Sequence, residues 1–385
     1  MFLDTVLARN PALVEAATAL HRRGAIPPDT YVVDLDAVES NAALLAAEAD
    51  RLGLALWFVV KQLGRNPEVI RAVARHIPRY AATDAAEARV LNAAGARPGN
   101  LGHLVQIPRR ALPELLARRP SAVTVYDPGN ARAVAEAARG LGFVQDVLVR
   151  LDGGEGSGYP GQEGGVPLSA LAGFAERAGR LRGIRIAGVT AFPCLLCDPA
   201  TGVPRPTPLL GLAVAGREVL RGLGHRDLLL SAPSANCVAS LPLLASAGAT
   251  HAEPGHALTG TTPLHAVDAG QPEKPAYVYV TEVSHILADG RPAVFGGGFY
   301  ARGRVGSAVL PRAGVRLRVG EAPAGVIDYY RVLEGDGGRV RVGDTAVLAF
   351  RAQFFVTRST VAVLSPTRRH LSLHTPQGLP LPPLT

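Results

Sequence analysis

The 385 residues hold 40 Lys and Arg against 32 Asp and Glu, a formal charge of +8 at pH 7, and 48% of them are hydrophobic. That length suits about two domains with large cores; mean hydropathy is +0.17, yet every apolar run falls short of the ~20 residues that a membrane span needs. The arginines are spread along helical patterns (Arg71, Arg75, Arg132, Arg139, Arg177, Arg180) and only 5% of residues are aromatic, so neither nucleic acid nor membrane is an expected partner, and a solvated basic surface or small anionic substrates account for the charge.

Residues 1–30 read as an amphipathic helix and its lead-in, without the charged start and small-residue cleavage site of a signal peptide. Tyr31–Asp36 is a strand, and an alanine-rich helix follows over Ala37–Arg51. From there strands alternate with helices. The strands are expected at Leu56–Val60, Arg79–Ala82, Leu101–Gln106, Ala122–Tyr126, Val147–Leu151, Ile184–Thr190, Asp227–Ser231 and Ala249–Glu253. Helical patterns fill the gaps, for instance Asp84–Ala94, Pro128–Leu141, Pro167–Leu181 and Pro208–Leu223, several opening on the Asp or Pro that helix N-termini prefer. This alternation predicts a closed (β/α)8 barrel of the TIM type over residues 31–268.

Past about Gly270 helical periodicity stops. Tyr277–His285, Ala293–Phe295, Val315–Val319, Val326–Val332, Arg339–Val342, Thr345–Phe350 and Phe354–Leu364 alternate as strands do, which predicts a C-terminal all-β domain over 269–375. Gln271–Pro275 is the linker, and 376–385 is a proline-rich tail expected to be poorly ordered. Three cysteines (Cys194, Cys197, Cys237) cannot make a disulfide framework, which points to a reducing cytoplasm. Cys194 and Cys197 form a single C-x-x-C with no second pair, so no metal is expected.

Barrel enzymes place their chemistry where strands end, and Lys61, Asp84, Gln106, Asp127, Asp152, Cys194, Ser234 and Glu253 stand there. Lys61 closes the apolar run Leu56–Val60 and is one of only two lysines in a chain that otherwise uses arginine. Arginine stays protonated and cannot act as a nucleophile. An amine at the mouth of an apolar strand can lose its proton by desolvation and form a Schiff base. An alternative for the same lysine is a snorkelling side chain at a strand end. A phosphorylated aldehyde cofactor would also need a cradle of backbone N–H groups and hydroxyls. Ser231–Asn236 after the seventh strand and His251–Gly260 after the eighth have that composition, unless they are ordinary tight turns. Glu253 is placed to face a pyridine nitrogen and keep it protonated.

These residues resemble the fold-type III pyridoxal-phosphate (PLP) enzymes, the alanine racemase and ornithine decarboxylase group. They are more closely similar to the YhfX family of alanine-racemase-like proteins. The resemblance runs through Asn10-Pro-Ala-Leu13, Val32-Val-Asp-Leu-Asp36 with Asn41, Lys61-Gln-Leu-Gly-Arg-Asn-Pro67, Gly102-His-Leu-Val-Gln-Ile-Pro108, Tyr159-Pro-Gly-Gln-Glu163, Phe192-Pro-Cys-Leu-Leu196, Ala232-Pro-Ser-Ala235, Ser240-Leu-Pro-Leu-Leu244, Thr250-His-Ala-Glu-Pro-Gly-His-Ala-Leu-Thr-Gly-Thr261 and Phe355-Val-Thr-Arg-Ser359. It implies PLP as cofactor, with Lys61 as the Schiff-base lysine. Arg65, Ser234, Gly255 and the backbone of His256 would then hold the phosphate, and Glu253 the pyridine nitrogen, as the decarboxylases' Glu-Pro-Gly does. Two departures stand out. Ala191 replaces the histidine that relatives lay against the cofactor ring, and the racemases' substrate-carboxylate arginine has no match, Gln162 lying nearest.

Racemisation by two bases needs one on each face of the substrate carbon. Lys61 would serve one face, and by analogy a residue from the partner in a head-to-tail homodimer the other. Tyr300 in the glycine-rich stretch Phe295–Gly303 is the candidate, or else a packed β-domain tyrosine; Cys194 and His256 are further options. The expectation is a cytoplasmic PLP-dependent amino-acid racemase or epimerase acting through a Lys61 aldimine and a Cα carbanion on a small amino acid. A decarboxylase or aldolase-type lyase is the enzymatic alternative, and a PLP carrier without turnover the third.

Overall fold

The computed structural model describes residues 2–301, 305–323, 325–335 and 338–384. The chain forms two compact units, one from Ala42–Val59 and Val73–Ala257, the other from Met1–Asn41, Val60–Ala72 and Leu258–Thr385.

The first unit is a nearly closed parallel eight-stranded barrel. Its strands are Ala55–Leu56, Arg79–Ala81, Arg97–Leu101, Ala122–Val125, Gln145–Asp152, Ile184–Thr190, Leu229–Ser231 and His251–Ala252. They are hydrogen-bonded in sequence from the second to the eighth, the eighth pairs with the first, and a parallel bridge between Phe58 and Tyr80 joins first to second. Trp57, Ala81, Ala122 and Leu148 fill the interior. Helices Ala85–Ala93, Pro128–Gly140 and Pro208–Gly222 start where the residue types direct. Asp84 accepts the N–H of Glu87, Asp127 those of Gly129 and Asn130, and Thr207 that of Leu209, each satisfying donors that a helix start leaves open.

The third strand differs from expectation. It runs Arg97–Leu101 and not Leu101–Gln106. Its Arg-Pro-Gly-Asn-Leu looks like a turn, but Gly99 is there because a Cβ would lie 2.2 Å from Trp57 Cδ1. Asn100 is buried among side-chain partners, and Gly102, at φ +79°, ends the strand. The helix expected from Pro167 begins as a 3-10 turn, Leu168–Ala170, before Leu171–Gly179.

The second unit is built on a ten-stranded, largely antiparallel sheet. Thr30–Asp34, read from the sequence as the start of the barrel segment, lies inside this sheet. It runs antiparallel to Tyr277–Ile286, with Tyr31 opposite Tyr279, and parallel to Thr360–Ser365, with Tyr31 opposite Val361. All five of its residues are buried, as the Tyr-Val-Val run favours. The N-terminal helix is two helices, Phe2–Arg9 and Pro11–Arg22, broken at Asn10. The Asn10 amide donates to Asp34 Oδ2 and to the carbonyl of Pro275, both at 2.9 Å. Leu3, Val6, Leu13, Val14, Ala17 and Leu20 pack on Val32, Val278, Val280, Val347 and Ala362.

Further differences are local: the strand expected at 354–364 opens as a 3-10 turn, Phe354–Val356, and runs Thr360–Ser365, and strands Ser307–Leu310 and His370–His374 were not expected. The strand expected at 326–332 forms at Tyr330–Glu334. The one expected at 339–342 is replaced by a turn in which Arg341 N–H donates to Asp344 Oδ2. The tail expected to be poorly ordered adds a strand, Pro380–Leu381, beside Leu373 and His374. A turn over Thr375–Leu379 directs it there: Gly378, at φ +87°, sits where a Cβ would lie 2.2 Å from the Arg65 carbonyl oxygen.

Candidate active site

At the C-terminal mouth of the barrel, Glu253 follows the eighth strand and is buried. Its Oε1 accepts from Asn100 Nδ2 and from Ser231 Oγ, each at 3.0 Å, while His103 Nε2 lies 3.7 Å from Oε2. Thr124 Oγ1 donates to Asn100 Oδ1 at 2.8 Å, and this fixes which way the Asn100 amide faces. The third, fourth, seventh and eighth strands therefore orient one carboxylate. Donors on its oxygens favour the ionised form.

Ser234 belongs to the same network through Asn236. Asn236 Oδ1 accepts the Glu253 N–H at 2.7 Å, and its amide donates to the carbonyls of Ser234 and Ala232. Ser234 and Ala235 have φ of +87° and +51°, a left-handed pair that non-glycine residues adopt only when their surroundings enforce it. Ser240 Oγ enforces it here by donating to the Ala235 carbonyl at 2.8 Å. The Ser234 side chain is half-buried. Gly255 follows Pro254, whose carbonyl accepts the Val59 N–H at 3.0 Å. His256, also half-buried, opens the short 3-10 helix His256–Thr259.

The loops after the third, fifth and sixth strands complete this face. Arg150 is 3% exposed; its Nη1 donates to the His103 carbonyl at 3.1 Å and to the Tyr126 hydroxyl, and its Nη2 to the Gln162 carbonyl. Gln162 is thereby fixed by its backbone, beside a cavity of about 120 Å³ lined by Asp152, Ser157, Gln162, Phe192 and Leu209. Ala191 is fully buried, and Phe192 meets His103 edge-on at 5.3 Å. Cys194 donates from Sγ to the Ala191 carbonyl at 3.2 Å, and burial pushes its thiol up to about 12. A thiol held that high is no proton acceptor at neutral pH.

Lys61, Arg65 and Tyr300 lie in the other unit. Lys61 opens a one-turn 3-10 helix, Lys61–Leu63, and is half-buried. Gly64 and Arg65 follow in left-handed conformation, at φ +68° and +50°. Arg65 is buried, its guanidinium 5.1 Å from the Phe355 ring centre. Tyr300 is 47% exposed and ends a turn held by Asp328, whose Oδ2 accepts the N–H groups of Gly297 and Phe299 at 2.9 and 3.0 Å. Arg302 and Gly303, from the same stretch, lie outside the described residues. Among the described residues no group of three or more His, Cys, Asp or Glu is placed to hold a metal, and no helix is long and apolar enough to cross a membrane.

Sequence reasoning missed Asn100, His103, Arg150 and Asn236. The signal available was their position just at or after barrel strands, where buried polar residues are costly unless they are used.

Residues 33–263 match the model of the alanine racemase N-terminal domain, and residues 278–372 that of the YhfX-like C-terminal domain. The chain is 38% identical over 374 residues to the uncharacterized protein YhfX of Escherichia coli K12, covering 96% of this chain and 95% of that one. Solved structures share the fold at low identity. Alanine racemase from Corynebacterium glutamicum has a TM-score of 0.62 at 18% identity, over 84% of this chain and 89% of that one. D-threo-3-hydroxyaspartate dehydratase from Delftia sp. HT23 has 0.65 at 19%, over 91% and 96%. D-threonine aldolase from Filomicrobium marinum has 0.66 at 18%, over 91% and 95%.

Proposed function

The chain belongs to the alanine racemase family, in its YhfX-like branch, and we propose that it is a PLP-dependent amino-acid racemase or epimerase. The observation that carries the cofactor part of this reading, common to racemase and lyase, is the Glu253 carboxylate, buried at the barrel mouth and turned by Asn100 and Ser231. Such a carboxylate suits a protonated ring nitrogen. The donor set fits the rest of the cofactor as well: a half-buried serine hydroxyl on an enforced left-handed turn is suited to an anionic phosphate.

When bound, the cofactor supplies an electron sink for charge developing at the substrate Cα. Lys61 would hold it covalently and move the Cα proton on one face. Ser234, the backbone of Gly255 and His256, and the charge of Arg65 would bind its phosphate. Glu253 would keep a proton on the ring nitrogen. Tyr300 of the partner subunit would carry the proton on the opposite face, in a head-to-tail homodimer. The substrate is a small amino acid and the setting the cytoplasm.

A second reading is a lyase, a decarboxylase or an aldolase-type enzyme. Glu253 is the observation behind it, since a protonated ring also assists loss of other groups from Cα. One experiment separates the two. Purified protein is given PLP and a panel of amino acids in deuterated water and followed by proton NMR. Exchange at Cα with the carboxylate and side chain retained supports the racemase, and loss of either group supports the lyase. Lys61→Ala is expected to abolish both the exchange and the visible absorbance that PLP develops with the wild type. If absorbance persists in that variant, Lys61 is not the attachment point. Absorbance without exchange for any amino acid would leave a carrier without turnover.

A further inference from the structure

We propose that His103, on the loop after the third barrel strand, is a positioning residue for Glu253. The inference rests on the reading of Glu253 as the ring-nitrogen partner, and its first measurement is made without cofactor.

The local chain is built to hold this ring in place. Gly102 hugs the fourth strand so closely that a Cβ there would lie 2.8 Å from the Thr124 carbonyl oxygen. Gln106 Nε2 donates to that carbonyl at 2.9 Å and to the Gly102 carbonyl at 2.7 Å, closing the loop. The His103 carbonyl is gripped from two sides, by the Tyr126 hydroxyl at 2.6 Å and by Arg150 Nη1 at 3.1 Å. The Arg150 guanidinium in turn lies over the Tyr126 ring, 4.7 Å from its centre. The His103 ring is 4% exposed, packed edge-on against Phe192, the residue after Ala191.

This grip places Nε2 3.7 Å from Glu253 Oε2, the oxygen opposite the one taken by Asn100 and Ser231. In a buried site a cation or N–H at that distance favours the carboxylate over the carboxylic acid. Removing it would let Glu253 take up a proton and lose its hold on a ring nitrogen. The groups around the pair include Asn100 and Ser231 on the carboxylate, the buried Cys194 thiol, and Phe192 against the imidazole, while Arg150 and Tyr126 hold the His103 carbonyl. A histidine kept merely for packing would serve without the carboxylate.

The test follows the His103 Cε1–H resonance of the full chain by NMR across pH, assigned by its loss in His103→Gln. Glu253→Gln is expected to lower the His103 midpoint by about one pH unit or more; an unchanged midpoint overturns the proposal. If Glu253→Gln does not fold, Glu253→Asp, which shortens the reach, is expected to give a smaller shift in the same direction, and no shift there overturns it equally. The second arm uses PLP. His103→Leu is expected to move the pH at which the bound-cofactor spectrum changes, and His103→Gln, which keeps an N–H donor, to restore it; equal effects of Leu and Gln overturn the positioning role. Wild-type protein that takes up no PLP would sink the functional reading while leaving the first arm to decide the His103–Glu253 pairing.

Discussion

Under the proposed function, Glu253 is the side chain at which cofactor binding and chemistry can be told apart. Its carboxylate is fixed by Asn100 and Ser231 and is not placed among the candidate phosphate ligands. Replacing one oxygen by an amide therefore removes charge where a ring nitrogen would need it and leaves the phosphate residues intact. Glu253→Gln is expected to slow Cα exchange by about 10²-fold, the scale of losing one preorganised electrostatic contact, while PLP affinity, read by titration of the visible absorbance, falls by less than about tenfold. Equal losses in both would contradict the ring-nitrogen role. Lys61 and Glu253 could be singled out in the sequence as candidates because composition and the Glu-Pro-Gly context set them apart. His103 and Arg150 were not, since nothing local marks a histidine or arginine as buried; only the folded chain shows Arg150 spending its donors on the His103 and Gln162 carbonyls.

Among the elements, two apolar β-branched runs were legible as barrel strands, whereas the run Leu56–Val60 puts only Leu56 in the two-residue strand Ala55–Leu56 and Phe58 in an isolated bridge. Ile184–Thr190 forms where the sequence indicates, and Ala122–Val125 ends one residue early. The third strand was hidden because two constraints from elsewhere in the barrel outweigh β propensity along Arg97–Leu101. Gly99 makes room for the Trp57 indole, and Asn100 serves the Glu253 network. The strand at Thr30–Asp34 was legible as a strand but not as a partner of Tyr277–Ile286, since local sequence does not encode which distant strand it pairs with. The Gly99 argument gives a test at this scale. Gly99→Ala puts a methyl 2.2 Å from Trp57 Cδ1, so the indole must move. The expected cost is about 1–3 kcal/mol, as for overpacked cores, read as a lower urea midpoint together with an altered Trp57 emission. An unchanged midpoint and spectrum would show that the barrel interior yields at no cost.

For the whole molecule, the decisive fact is that residues from both ends of the chain share one unit. Asp29 sits where they meet: its Oδ1 accepts from the Tyr279 hydroxyl at 2.8 Å and from Ser359 Oγ, and Oδ2 lies against Gly297. Burial, helped by the nearby charge of Asp328, raises its carboxyl from 3.8 to about 6, against the opposing effects of Ser359, Tyr279 and Arg358. The folded chain therefore holds this proton at pH values where the unfolded chain has lost it. That stabilisation is complete below about pH 4 and is lost as pH rises through 6, by about 3 kcal/mol at most. Asp29→Asn stays uncharged and tolerates the left-handed φ of +58°. The variant and the wild type are expected to have similar urea midpoints at pH 4, and the variant a higher one at pH 7.5. Six of the nine tyrosines, the buried Tyr31, Tyr277 and Tyr279 among them, belong to this unit, so near-UV circular dichroism of tyrosine is weighted toward it, while Trp57, the single tryptophan, reports the barrel. The chain passes between the units at residues 41–42, 59–60, 72–73 and 257–258, and helix Leu35–Leu52 contributes residues to both. The chain crosses between the units four times, and the Asp29→Asn shift is expected in both signals together. A shift confined to tyrosine would mean that the units unfold separately, and parallel midpoints for variant and wild type from pH 4 to 7.5 would remove Asp29 from the account of pH dependence.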